Sequence, residues 1–125
     1  MRNIHASGEE YLKWILKLQK TEGHIRSIDL AQSMGFSRPS VSIAIKKLEN
    51  NGFLTKDEEG YLQLTEKGYD VAENMRERHQ FLTDFLVNIG VDMKTAISDA
   101  CKIEHDLSEE SFEKLRECTK LYQTR

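Results

Sequence analysis

The stretch Asp99-Ala100-Cys101-Lys102-Ile103-Glu104-His105 holds a thiol, a carboxylate and an imidazole at offsets of three and four residues. On an α-helix those offsets bring the three side chains to one face. A soft sulfur beside nitrogen and oxygen donors suits a mid-row divalent ion such as Fe(II), Mn(II), Co(II), Ni(II) or Zn(II), and not calcium or magnesium. The same residues also fit a blander description, a packed cysteine next to two surface polar groups, and spacing alone does not choose. Cys118 has no such companions. His79 and the pair Glu9-Glu10 read by themselves as surface groups, the acidic pair at a helix start that favours negative charge. No separate general base or cleft accompanies the triplet, so the chain is not read as an enzyme.

A second constellation lies upstream. Ser37, Arg38, Pro39, Ser40, Ser42, Lys46 and Lys47 alternate with Val41, Ala44, Ile45 and Leu48 at helical spacing. One face can pack while the other presents hydroxyls near its N-terminal end and cations further on. That is the arrangement of a helix entering the major groove, with Lys46 and Lys47 toward phosphates.

The elements that must position these groups follow from caps and periodicity. Tyr11, Leu12, Ile15, Leu16 and Leu18 predict a helix over about 7–22, closed by Gly23. Ser27 is the expected N-cap of a short helix over 28–34 that Gly35 ends. Pro39 opens the next, which runs through 41–50 to Asn51-Gly52. Residues 53–56 and 61–64 predict two strands around the polar turn 57–60. Thr65 caps a long helix through Val71, Met75, His79, Leu82, Phe85 and Leu86 to Gly90, and two further helices are expected over about 92–106 and 108–121. Helix, helix, turn, helix, hairpin is the order of a winged helix-turn-helix that binds double-stranded DNA. The fold class is therefore mainly α, with a winged-helix domain over 1–70 and a helical domain over 71–125.

Composition bounds these readings. The 125 residues suit one small domain plus an appendage. No apolar run approaches a membrane span or signal peptide, so a cytoplasmic protein with no membrane partner is expected. Net charge is -3, divided unevenly: residues 1–65 carry nine Lys/Arg against eight Asp/Glu, or +1, and residues 66–125 carry nine against thirteen, or -4. The acidic turn Asp57-Glu58-Glu59 would be repelled by phosphates, so the helix and not the wing tip is expected to contact DNA.

Glu9-Glu10-Tyr11-Leu12, Ser37-Arg38-Pro39-Ser40-Val41-Ser42, Leu64-Thr65-Glu66-Lys67-Gly68, Arg78-His79 and Ala100-Cys101-Lys102-Ile103-Glu104-His105 together resemble the iron-dependent repressors typified by the diphtheria toxin repressor, and the related manganese transport regulators. The resemblance covers essentially the whole chain. It implies a homodimer, assembled through residues from about 71 onward, that represses metal homeostasis genes by binding palindromic operator DNA when loaded with Fe(II) or Mn(II). It also implies that Glu10 joins Cys101, Glu104 and His105 as a ligand. The iron type has methionine at the Glu10 position, whereas the manganese type has an acidic residue there but a further acidic ligand at Lys13 and a Glu at Cys101, so the site is a hybrid. Of the ancillary iron-type ligands only His79 is present, with Thr83 and Ile97 in the other places, and His79 is left to join Glu10 as in the manganese type. A glutamine used for base readout corresponds to Ile43, where apolar contact with thymine methyls is physically possible. No counterpart of the third, SH3-like domain of the longer iron repressors is expected. The alternative is a winged-helix regulator switched by a small molecule or by oxidation of Cys101.

Overall fold

The computed structural model describes residues 6–123. It contains α1 (Ala6–Glu22), α2 (Ser27–Met34), α3 (Arg38–Asn50), β1 (Leu54–Lys56), β2 (Leu62–Leu64), α4 (Glu66–Asn88), α5 (Met93–Asp106) and α6 (Glu109–Gln123). The chain divides into two compact units, Met1–Met75 and Arg76–Arg125, with the division falling inside α4.

In the first unit, Leu12, Ile15 and Leu16 of α1, Leu30 of α2, Val41, Ile45 and Leu48 of α3 and Phe53, Leu54 and Leu62 of the hairpin form one buried core. The strands pair antiparallel with Leu54 opposite Leu64 and Lys56 opposite Leu62. The hairpin is held to the helices by main-chain and side-chain bonds: Leu62 N–H donates to Ile25 O at 2.8 Å, and Gln19 Nε2 donates to Leu62 O at 2.8 Å. Gly35, with φ of 71°, supplies the left-handed turn that ends α2, and its N–H returns to Ala31 O. Ser37 then caps α3, accepting from Ser40 N–H at 3.3 Å, and Pro39 sits in the first turn.

The α2 start differs from the sequence reading. Arg26, not Ser27, is the capping position: its N–H donates to Asp29 Oδ2 at 2.9 Å. The guanidinium of Arg26 is drawn toward the wing, where Nε donates to Glu59 O at 2.9 Å and the group covers the Tyr61 ring at 4.5 Å. That long-range anchor sets where the helix begins. Thr65 caps α4 as expected, accepting from Gly68 N–H at 3.1 Å while its hydroxyl donates to Gly52 O at 2.7 Å.

In the second unit the N-cap of α5 is Asp92, which accepts from Lys94 N–H at 3.2 Å, and Ser108 Oγ accepts from Ser111 N–H at 3.0 Å at the start of α6. Leu82, Ala96, Ala100 and Phe112 are buried, and Phe112 meets Phe81 edge to face at 5.5 Å. The buried positions of α5 are Ala96, Ala100 and Glu104, one every four residues, so a carboxylate occupies the third place of an otherwise apolar stripe.

Candidate functional site

Glu104 has none of its surface exposed. A carboxylate so placed is expensive unless cations or donors face it. Two imidazoles do: Nδ1 of His79, on α4, lies 3.4 Å from Glu104 Oε2, and Nε2 of His105 lies 3.5 Å from Oε1. A Glu104 carboxylate oxygen and Cys101 Sγ are within 4.8 Å of each other. The second unit thus gathers four of the five expected metal-site residues, His79, Cys101, Glu104 and His105, around one buried carboxylate.

The donor set fits a divalent transition ion. Ligand atoms about 2.1 Å from one tetrahedral ion stand roughly 3.4 Å apart, close to the nitrogen–oxygen separations here. Nδ1 of His79 is buried without a hydrogen-bond partner among the described residues, as suits a nitrogen kept for a metal. Thr83, one turn further along α4, is also buried with an unpartnered hydroxyl, and Ile97 is nearly half exposed. Neither supplies a ligand of the ancillary type.

Arg78 was visible in the sequence only as part of a motif, and the structure gives it a role. Its guanidinium, 1% exposed, donates to Glu104 O at 3.0 Å, to Leu107 O and to Glu109 Oε1 at 2.9 Å, and lies against the Phe112 ring. It thereby ties the end of α5, where Glu104 and His105 sit, to the start of α6. The signal was available: Val71, Met75, Arg78 and Leu82 follow the helical apolar spacing, so an arginine occupies a core position.

The fifth expected ligand, Glu10, is on α1 of the first unit. It is half-buried, with Lys13 Nζ 3.1 Å from Oε1 and Trp14 Nε1 donating to Oε2 at 3.1 Å. Its neighbour Glu9 is buried.

The expected DNA-facing residues share the outer side of α3 and its entry turn. Ser37, Arg38, Pro39, Ser40, Ser42, Lys46 and Lys47 are all exposed, while Val41, Ile45 and Leu48 are buried. The Ser37 hydroxyl is occupied by capping, since it also donates to Ser40 Oγ at 2.8 Å, so Ser37 shapes the helix start as well as facing outward. The acidic wing tip is organised by its own backbone: Asp57 Oδ1 accepts from Glu59 N–H at 3.0 Å and Tyr61 N–H at 2.9 Å. Among the described residues no helix is long and apolar enough to cross a membrane.

The comparisons agree along the whole chain. The family model of the iron dependent repressor N-terminal DNA binding domain matches residues 3–68, and that of the iron dependent repressor metal binding and dimerisation domain matches residues 65–124. The transcriptional regulator MntR of Escherichia coli O6:H1 is 33% identical over 108 residues, 86% of this chain and 70% of that protein. An HTH-type transcriptional regulator of Methanocaldococcus jannaschii is 34% identical over 115 residues, 90% of this chain and 92% of its own. The solved structure of the manganese regulator SloR superposes with a TM-score of 0.81 at 29% identity and covers 90% of this chain, which spans 53% of that one. The first two relatives are transcriptional regulators, and the chain belongs to the iron-dependent repressor family.

Proposed function

We propose that the chain is a metal-dependent transcriptional repressor that binds palindromic operator DNA as a homodimer when loaded with Mn(II) or Fe(II). The observation that carries this reading is the buried Glu104 carboxylate between His79 and His105, with Cys101 beside it, in a chain whose other unit is a winged helix. The name of the manganese regulator SloR supports manganese, and the thiol of Cys101 extends the range toward Fe(II), Co(II), Ni(II) and Zn(II). It acts in the cytoplasm, on genes of metal homeostasis.

The bound ion supplies a charge and a set of directed bonds that no side chain here replaces. Cys101, Glu104, His105 and His79 bind it from the second unit, and Glu10 contributes from the first. A ligand set drawn from both units favours one orientation of the DNA-binding unit over others, which is linkage between metal binding and DNA binding. Two recognition helices of a two-fold dimer must stand about 34 Å apart, or a multiple, to read a palindrome, so a small change of angle alters affinity strongly. A coupling on the order of 1–3 kcal/mol is expected. Ile89, Met93 and Ile97, at the end of α4 and along the first half of α5, are exposed apolar side chains of the second unit, as suits a surface that a second copy would cover.

The test is anaerobic incubation with sheared genomic DNA in Mn(II), Fe(II), Zn(II) or chelator, followed by sequencing of what is retained. Palindromic sites enriched only with metal support the reading. Equal enrichment in chelator removes the metal switch and leaves a winged-helix regulator of another kind, and no enrichment under any condition overturns DNA binding.

A further inference from the structure

Trp14, the chain's single tryptophan, stands one turn after Glu10 on α1, and its Nε1 donates to Glu10 Oε2 at 3.1 Å. The indole is half-buried and packs against the core of the first unit, so the fold sets the direction in which its N–H points. The Lys17 ammonium lies over the same ring, 4.7 Å from its centroid. A phenylalanine would supply comparable apolar contact, so packing alone does not explain a side chain whose one donor is aimed at a carboxylate.

Two donors hold the Glu10 carboxylate, and they respond differently to a divalent ion. Lys13 Nζ, 3.1 Å from Oε1, is a cation and is repelled by the ion's charge. The indole N–H is neutral. It keeps its oxygen while the carboxylate shares charge with an ion, as the hydrogen-bonded carboxylates of metal centres do. A glutamate side chain has several rotamers to lose on binding, and a bond from a ring fixed in the core selects among them beforehand.

Resting on the reading that Glu10 is a metal ligand, we propose that Trp14 is the positioning residue of the metal centre on the first unit. Its indole N–H holds the Glu10 carboxylate in the orientation that takes the ion, and the bond persists in the loaded protein. Trp14 acts through Glu10 and not on the ion.

The experiment uses the full chain, labelled with nitrogen-15 and titrated with Cd(II), a diamagnetic ion similar in size to Mn(II). One tryptophan gives one indole N–H resonance. That resonance is expected to move as Cd(II) binds, because the carboxylate accepting the bond has shared its charge, and to stay in place in Glu10→Gln. Trp14→Phe keeps a ring and removes the donor. It should bind Mn(II) and Cd(II) about ten-fold more weakly, the lower end of the range for groups that orient ligands, with little change in urea stability. Trp14→Gln returns a donor at the same helical offset and loses the ring. It should be the less stable variant and yet bind metal more tightly than Trp14→Phe, whereas a purely structural tryptophan gives the opposite ranking. An indole resonance that ignores saturating Cd(II), or a Trp14→Phe protein that binds metal as the parent does beside a weakened Glu10→Gln, overturns the proposal and leaves Glu10 a ligand. A Glu10→Gln protein that binds Mn(II) as tightly as the parent removes Glu10 from the ligand set and overturns both.

Discussion

The Arg78 guanidinium and the main-chain carbonyl of Glu104 are joined at 3.0 Å, so the residue that offers its carboxylate to the candidate metal centre is fixed through its backbone by a buried cation from a different helix. The same guanidinium also serves Leu107 O and the Glu109 carboxylate. Arg78→Leu leaves two carbonyls without their donor, at roughly 1–3 kcal/mol for each that stays dry. Urea unfolding of the second unit's signal is expected to report that loss. Metal affinity should fall as well, by about 10–100-fold, the range for residues that orient ligands. Arg78→Lys recovers only part of either effect, because one ammonium does not reproduce a planar fork. Unchanged metal affinity in a folded Arg78→Leu protein would count against the positioning role.

Cys101 and Glu104 contribute differently to the choice of ion. Replacing the thiol by a carboxylate in Cys101→Asp hardens the site and is expected to shift relative affinity from Zn(II) and Co(II) toward Mn(II). The check is competition between metals, together with the sulfur-to-cobalt charge-transfer absorption of the Co(II)-loaded parent, which should vanish in the variant. Glu104→Gln is expected to weaken every metal, since it removes a buried negative charge at the centre of the cluster. A parent protein that binds Co(II) without that absorption would exclude Cys101 as a ligand.

Much of this was legible because the signals are local. Gly35, Ser37, Pro39, Thr65 and Asp92 each act within three or four residues of themselves, so the punctuation of the helices can be read directly. The triplet Cys101, Glu104, His105 was legible for the same reason. Two features were not. Arg26 displaces Ser27 as the cap because its guanidinium is held by Glu59 O and Tyr61, more than thirty residues away. The convergence of His79 on Glu104 joins α4 to α5, and no spacing within one helix contains it.

Gly68 tests the junction between the wing and α4. A Cβ built there would fall 1.9 Å from Phe53 O, and backbone cannot yield as a flexible side chain would. Helix propensity alone would favour Gly68→Ala by up to about 1 kcal/mol. The clash is expected to reverse that sign, with a net loss of about 1–3 kcal/mol on the scale of overpacked sites. The midpoint of urea unfolding of the first unit decides, and a stabilised variant would show that the strand end moves freely.

Alkaline stability should depend on Tyr11. The ring is buried in the first unit's core, edge-on to Phe36 at 6.0 Å, and burial raises its hydroxyl above the usual value of 10.0. The folded state therefore holds the proton more tightly than the unfolded state. The corresponding stability is fully present below pH 10 and is lost as pH rises through the folded pKa. Tyr11→Phe is expected to remove that component of the alkaline decline, so the two proteins' unfolding free energies should converge or cross above pH 10. Parallel curves across that window would mean that the phenol reaches water when it ionises.

Lys13 competes for the carboxylate assigned to the metal. Its ammonium lies 3.1 Å from Glu10 Oε1, while the other oxygen accepts from Trp14 Nε1 at the same distance. A divalent ion bound by Glu10 must share or displace that ammonium, and the two cations repel each other. Lys13→Gln is expected to tighten Mn(II) binding by up to about five-fold, the scale of ~1 kcal/mol for a partly exposed pair. The gain should shrink as salt rises, because screening weakens the repulsion that was removed. In a Glu10→Gln background the Lys13 substitution should have little further effect, since the coupled partner is gone. An equal gain in both backgrounds would show that Lys13 acts through the general field of the unit and not through Glu10.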